Sequence, residues 1–247
     1  MVVKGALGGY TLMGLNGGPM FHINPSISFF VTLRNPQEME RIWQALMDGG
    51  MAMMPMDSYP WAEKYGWVKD RFGMTWQLML DTAATEEQKI MSSLLFVGEQ
   101  FGKAKDAIGQ YISIFNNSNI LQMDLYKEGE GQGEGKVKFS HFTLDNTPFS
   151  AMDGPGNHDF SFNEGVSFVV ECDTQEEIDY YWEHLSQGGK ESQCGWLKDR
   201  FGVSWQVVPR VLSALMSDAG KARKVTKAFM TMQKLDIEAL VAAAEQS

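Results

Sequence analysis

Hydrophobic positions along this chain follow two periods, and the switches between them mark the elements. Ile27 to Leu33 and Val166 to Cys172 are short runs rich in Val, Ile and Phe, which predicts two strands. Behind each strand the spacing lengthens. Ile178, Tyr181, Trp182 and Leu185 fall at i, i+3, i+4 and i+7, one apolar stripe of a helix. Thr174 with Glu177 makes a capping-box pattern at its start, and Gly188-Gly189 closes it. Asn35-Pro36 opens a matching helix with an Asn cap and Pro at the first helical position. Trp196-Leu197-Lys198 and Val203 to Val208 then predict a hairpin around Asp199-Arg200-Phe201-Gly202, where Gly gives the turn its freedom.

These two patterns are copies of one another. Gly66 to Gln77 matches Gly195 to Gln206 with nine of twelve positions identical, at an offset of 129 residues. Upstream the offset is 139: Ile27 to Val31 aligns with Val166 to Val170, Trp43 with Trp182, Leu46 with Leu185, and Gly49-Gly50 with Gly188-Gly189. The ten-residue difference falls in Met51 to Tyr65, read as a Met- and Pro-rich loop that shrinks to Lys190–Cys194 in the second copy. An ordered series of this kind marks an internal duplication.

The second copy carries a longer front part. Leu94 to Val97 predicts a strand, Lys103 to Phe115 a helix, and Asn119 to Tyr126 another strand. After a Gly/Glu-rich loop, Glu128 to Gly135, come Val137 to Leu144 and Pro148 to Met152. Residues 91–209 thus read β-α-β-β-β-β-α-β-β-β, with a short strand near the glycine pair. Met1 to Leu7 aligns with Lys138 to Leu144, so the N-terminal copy starts partway through the pattern. Lys221 to Gln233 and Asp236 to Glu245 predict helices, with Asp236 as a cap. Thr82 to Lys89 serves as the linker. The expected organisation is an incomplete module over 1–82, a complete one over 90–210, and a helical extension over 211–247.

Composition narrows the function classes. A formal charge of −10 repels phosphate backbones, so nucleic acid is not an expected partner. The basic cluster Lys221 to Lys227 has the spacing of a solvated helix face. No apolar run approaches the roughly 18 residues of a membrane helix, and the N-terminus lacks a signal-peptide pattern. Two cysteines, Cys172 and Cys194, outside any C-x-x-C pattern, read as reduced thiols, and a cytoplasmic location is expected.

Two successive β-α-β-β-β units resemble the vicinal-oxygen-chelate, or glyoxalase/bleomycin-resistance, superfamily. The segment Cys194 to Gly202, with Thr174 to Ile178 before it and Ser204 to Pro209 after it, is similar to the PhnB-like subgroup, often labelled 3-demethylubiquinone-9 3-methyltransferase-like. The resemblance implies an α+β fold in which tandem β-α-β-β-β units form cupped mixed sheets, here one complete and one incomplete module followed by C-terminal helices. It also implies a divalent metal in the cup, held by His and Glu of the first and last strands of each unit. Here the last strands end on Gln77 and Gln206 where the superfamily has Glu. The first strands offer Met91-Ser92-Ser93 and Val166-Ser167 where it has His. A metal needs three or four convergent donors. His22, His141, His158 and His184 have no ligand-like spacing, so no cofactor is expected.

Neither a Rossmann-type Gly-rich loop opening a helix nor a G-x-S-x-G element occurs, because Gly129 to Gly135 lies between antiparallel strands. What remains is a cup lined by aromatics and amides. If Gln206 points into it, so do Ser204 and Val208, while Trp205 packs behind; Trp196 and Lys198 share a face on the next strand. The expected ligand pocket comprises Gln206, Ser204, Trp196, Lys198, Phe149, Phe168 and Gln77, with Phe149, Phe168 and Trp196 as stacking candidates. Two functions stand side by side: a small-molecule binding protein without a catalytic metal, and an enzyme, either metal-dependent in the glyoxalase or dioxygenase style or a methyltransferase-like transferase. An incomplete N-terminal module leaves an open edge, which predicts a homodimer.

Overall fold

The computed structural model of the chain describes residues 2–84, 88–130 and 133–245. It divides into two compact units, 1–161 and 162–247.

The first unit opens with β1 (Val2–Leu7) and β2 (Tyr10–Leu15), an antiparallel pair forming a sheet of its own. Then come β3 (Ile27–Leu33), α1 (Pro36–Met47), β4 (Met51–Tyr59), β5 (Ala62–Lys69) and β6 (Thr75–Leu80). A second set follows: β7 (Gln88–Phe96), α2 (Ala104–Ile114), β8 (Asn119–Leu125), β9 (Val137–Leu144) and β10 (Thr147–Asp153). Both sets join one eight-stranded sheet in the order β4-β5-β6-β3-β7-β10-β9-β8. The seam is antiparallel, with Ile27 opposite Leu94 and Phe30 opposite Met91. β3 and β6, and likewise β7 and β10, run parallel. The sheet is therefore two β-α-β-β-β modules placed edge to edge, and β3, at its centre, is buried at all seven positions.

Helices cover one face. Asn35 caps α1 by accepting from the amides of Gln37 and Glu38. Met39 and Trp43 of that helix pack on Phe29, Val31, Leu33, Val68 and Leu78. Side chains alternate along a strand, so Ser28 and Phe30 of β3, with their cross-strand partners, occupy the helix-free face. The segment from Met51 to Tyr65 is not the loop its composition suggests. β4 pairs antiparallel with β5 through three register shifts, with Pro55 in an edge strand where a missing amide costs no ladder bond.

The second unit holds β11 (Ser167–Cys172), α3 (Gln175–Ser186), β12 (Lys190–Glu191), β13 (Trp196–Lys198) and β14 (Ser204–Pro209), in the sheet order β11-β14-β13-β12. β12 is the short strand expected beside the glycine pair. Thr174 caps α3. Three helices follow, α4 (Val211–Ser217), α5 (Ala219–Phe229) and α6 (Ile237–Glu245), the last capped by Asp236. Val225, Leu235, Leu240 and Ala244 form their core.

The repeat and the compact unit do not coincide. The expected boundary between 82 and 90 falls within the first unit, because β3 and β7 pair across it; residues 85–87 of that linker lie outside the described residues. Likewise 90–210 is not one body: β7 to β10 belong to the first unit and β11 to β14 to the second. Among the described residues β11 and β12 are the outer strands of the second unit's sheet. Among the described residues no helix is long and apolar enough to cross a membrane.

Candidate functional site

The duplicated twelve-residue segment is a structural lock in both copies. Asp70 accepts from the amides of Phe72 and Met74 with one carboxylate oxygen and from the Trp76 indole with the other, at 2.8, 3.0 and 2.9 Å. Asp199 repeats this with Phe201, Val203 and Trp205, at 2.9, 3.0 and 2.9 Å. One carboxylate thus closes the turn and pins the strand that follows. The pattern Asp-Arg-Phe-Gly-x-x-Trp is kept for folding, and the site lies one residue further on.

That residue is Gln77. Its register partner on β5 is Trp67 and on β3 Phe30. The side chain is 3% exposed and held at three points. Its Nε2 donates to Ser28 Oγ at 2.8 Å and to Ser93 Oγ at 3.4 Å, while its Oε1 accepts from the Tyr65 hydroxyl at 2.7 Å. Burial first, and then the neighbouring Tyr59, push the Tyr65 phenol well above its ordinary value, so it stays a donor. Around this network the helix-free face is apolar and soft. Phe30, Tyr65 and Met91 are its buried centre, with Met54, Tyr59, Trp67, Met79 and Phe139 packed against them. Trp61 stacks on Tyr59 at 5.0 Å on the β4–β5 hairpin.

On this face the buried Trp67 Nε1, Thr75 Oγ1 and Ser150 Oγ have no hydrogen-bond partner among the described residues, and His141, opposite Ser150 on β9, adds an imidazole to it. Thr75 is on the Gln77 face of β6. Ser150 is level with Ser93 across β10 and β7. They belong to different strands of the same helix-free face.

In the second unit Gln206, Ser204, Trp196 and Lys198 do share one face: Trp196 pairs with Gln206 and Lys198 with Ser204. Lys198 Nζ is 2.8 Å from Glu164. Gln206 Nε2 donates to the Cys194 carbonyl at 3.2 Å. Cys194 stands where the first copy has Tyr65, and the amides of Cys194 and Gly195 bond to Met232 and Gln233 carbonyls. The C-terminal segment thus supplies the backbone partners that the long β4 supplies in the first copy. Burial raises the Cys194 thiol above its usual range.

Two expected pocket residues face the other way. Phe149 is stacked on Phe142 at 5.7 Å, on the helix-covered face opposite Ser150. Phe168 lies 5.3 Å from Trp205, opposite Gln206. The strand register decides this, and both rings back their sheets. Sequence reasoning missed Tyr65, Ser28, Ser93, Trp67, Thr75 and Ser150. The available signal was serine inside strands otherwise built of Phe, Val and Leu.

The donor set around Gln77 does not fit a divalent metal. It comprises a neutral amide whose oxygen is already engaged and two serine hydroxyls, without carboxylate, imidazole or thiolate. Among the described residues no three His, Cys, Asp or Glu side chains converge on a metal-sized site.

Two edge-to-edge β-α-β-β-β modules with a helix-free face define a protein of the vicinal-oxygen-chelate superfamily. The fold is shared with glyoxalase I from Zea mays, which matches 85% of this chain and 77% of its own with a TM-score of 0.53 at 11% identity. A family model described as 3-demethylubiquinone-9 3-methyltransferase matches residues 1–79 and 88–208, and the chain belongs to that PhnB-like family. A PhnB protein from Bacillus cereus is 35% identical over 47% of this chain and 95% of its own, with a TM-score of 0.45. The fosfomycin resistance protein FosX from Listeria monocytogenes matches 49% of this chain and 90% of its own at 15% identity, with a TM-score of 0.34. Among curated proteins none matches the chain.

Proposed function

We propose that the first unit binds a small, uncharged, largely apolar molecule against the helix-free face around Gln77, without a resident metal, and that the chain acts as a cytoplasmic homodimer. The observation that carries the binding reading is the set of polar atoms, Trp67 Nε1, Thr75 Oγ1 and Ser150 Oγ, left without partners in an apolar surround. Each such group costs roughly 1–3 kcal/mol until something pairs with it. A molecule carrying an acceptor for the indole and a hydroxyl- or carbonyl-type group for the serine or threonine would recover that cost. Methionines at 54, 79 and 91 give the lining the adaptability to close on it. The free cysteines suit a reducing compartment.

The test is a thermal-shift screen of neutral aromatic and amphiphilic compounds, followed by calorimetry on the strongest. Trp67→Phe should weaken binding about two- to tenfold, the worth of one hydrogen bond. Unchanged affinity in both Trp67→Phe and Ser150→Ala would place the ligand elsewhere, and no stabilising compound would end the reading. Methyl transfer is the second reading, favoured by the family's description alone. Stoichiometric binding of a nucleoside methyl donor would favour it.

A further inference from the structure

The serines of the first unit's helix-free face fall in line. Ser28 of β3 is opposite Ser93 of β7, Ser93 is level with Ser150 of β10, and Ser150 is opposite His141 of β9. One polar row thus crosses four adjacent strands. Ser93 and Ser150 are both 0% exposed, so nothing reaches their hydroxyls from outside while the face stays as it is. The register identifies what roofs them. Phe30 lies two residues from Ser28 on one side of the row, opposite Met91. Phe139 lies two residues from His141 on the other side, level with Met152, since Ser140 pairs with Ala151. The two backbones are three strands apart, about 14 Å at the usual strand spacing. Their ring centroids are nevertheless 5.6 Å apart. Both side chains therefore lean inward over β7 and β10. The line joining them crosses the polar row diagonally, between Ser93 and Ser150.

We propose that Phe139 is a gate over Ser93 and Ser150, and that the molecule it admits carries a flat aromatic ring with a hydroxyl or carbonyl at its edge. This inference rests on the small-molecule reading of the same face and names the ligand's chemical class and its way in.

The two rings are not equivalent. Phe30 is 4% exposed and meets the Tyr65 ring at 6.5 Å, so it is held in the buried centre of the face. Phe139 is partly buried and packs on that centre from its rim. Beyond it lies β8, exposed at six of its seven positions, where a phenyl turned to another staggered rotamer finds room. The turn vacates a ring-sized space beside Phe30 and bares Ser150 Oγ, a hydroxyl without a partner among the described residues. A second flat ring restores the aromatic contact that Phe30 gives up. An oxygen on its edge meets the Ser150 hydroxyl, and the His141 Cβ stands about 4.5–5.5 Å from that of Ser150 across the strand pair. An aliphatic ligand restores neither contact.

The experiment adds 2-naphthol to the full chain and follows its fluorescence by stopped flow, with naphthalene measured beside it by competition. Naphthalene should bind about two- to tenfold more weakly than 2-naphthol, and Ser150→Ala should weaken 2-naphthol by as much, the worth of one hydrogen bond. Phe139→Ala should speed both association and dissociation of 2-naphthol, because the step of opening is gone. Unchanged rates in a normally folded Phe139→Ala overturn the gate. Equal affinity for the two compounds, or no binding of 2-naphthol, overturns the ligand class. In each of these cases a different compound that stabilises the chain and is weakened by Trp67→Phe leaves the binding reading standing. The absence of any stabilising compound ends both. Should Phe139→Ala fail to fold, 4-fluorophenylalanine placed at position 139 reports on the ring itself by fluorine NMR. Two exchanging resonances, with the minor one filled by 2-naphthol, support the gate, and a single resonance that saturating 2-naphthol leaves in place overturns it.

Discussion

At the scale of single residues, the two copies of one motif form an internal experiment. Asp199 is 3% exposed and its turn neighbour Phe201 is buried, while Phe72 of the first copy is 81% exposed. The same three hydrogen bonds are thus sealed from water in one copy and open to it in the other. Removing the carboxylate leaves two amides and an indole to find partners, and water can reach them only around residue 70. Asp199→Ala should cost about 2–4 kcal/mol in urea unfolding, and Asp70→Ala about half as much. Equal losses would contradict the burial argument. The glycine pairs are set by space as well as conformation. Gly49 and Gly188 both lie at φ 72°. A Cβ on Gly50 would collide with the carbonyl oxygens of Leu46 and Lys69, and one on Gly189 with that of Lys198. Such positions are legible in sequence because they leave an invariant letter inside one chain. The Gln77 network is less so. Tyr65 and Cys194 occupy the same place in the two copies, and Ser28 meets Ser93 only through a strand pairing 65 residues away.

At the scale of elements, β3, β11 and the helices behind them could be read from β-branched runs, caps and the 3.6 period. β4 could not. Met-Ala-Met-Met-Pro-Met-Asp-Ser-Tyr has no alternation and a central proline, and it is a strand because β5 offers it an edge. The faces of Phe149 and Phe168 were illegible for a related reason: a ring's side of the sheet follows from the register with a distant strand. The second copy manages with the two-residue β12, which marks the β4–β5 hairpin as an addition to the module. Shortening residues 51–65 by ten, to match 190–194, should leave a folded chain by circular dichroism. It should abolish the thermal shift given by a first-unit ligand, since Met54, Tyr59 and Trp61 leave with the hairpin. A retained shift would move the binding face away from it.

At the scale of the molecule, the charge of −10 works against any pairing of like chains. The Debye length falls from about 30 Å at 0.01 M salt to about 8 Å at 0.15 M, so repulsion between two acidic copies fades across that range. Association of two copies should therefore tighten as sodium chloride is raised. Sedimentation at the two ionic strengths reads this directly. Weakening with salt would point to ion pairs as the main glue.

The antiparallel seam between β3 and β7 bears on how this chain can be divided. The repeat invites a cut near residue 85, between two copies of a gene segment. That cut would expose both central strands of the eight-stranded sheet, Phe30 and Met91 among them, and yield two pieces prone to clump. A cut after Ser161 crosses no strand pairing among the described residues. Anyone seeking a soluble fragment for crystallisation or spectroscopy would begin there, since the ancestry of the chain and its shape place their joints at different residues.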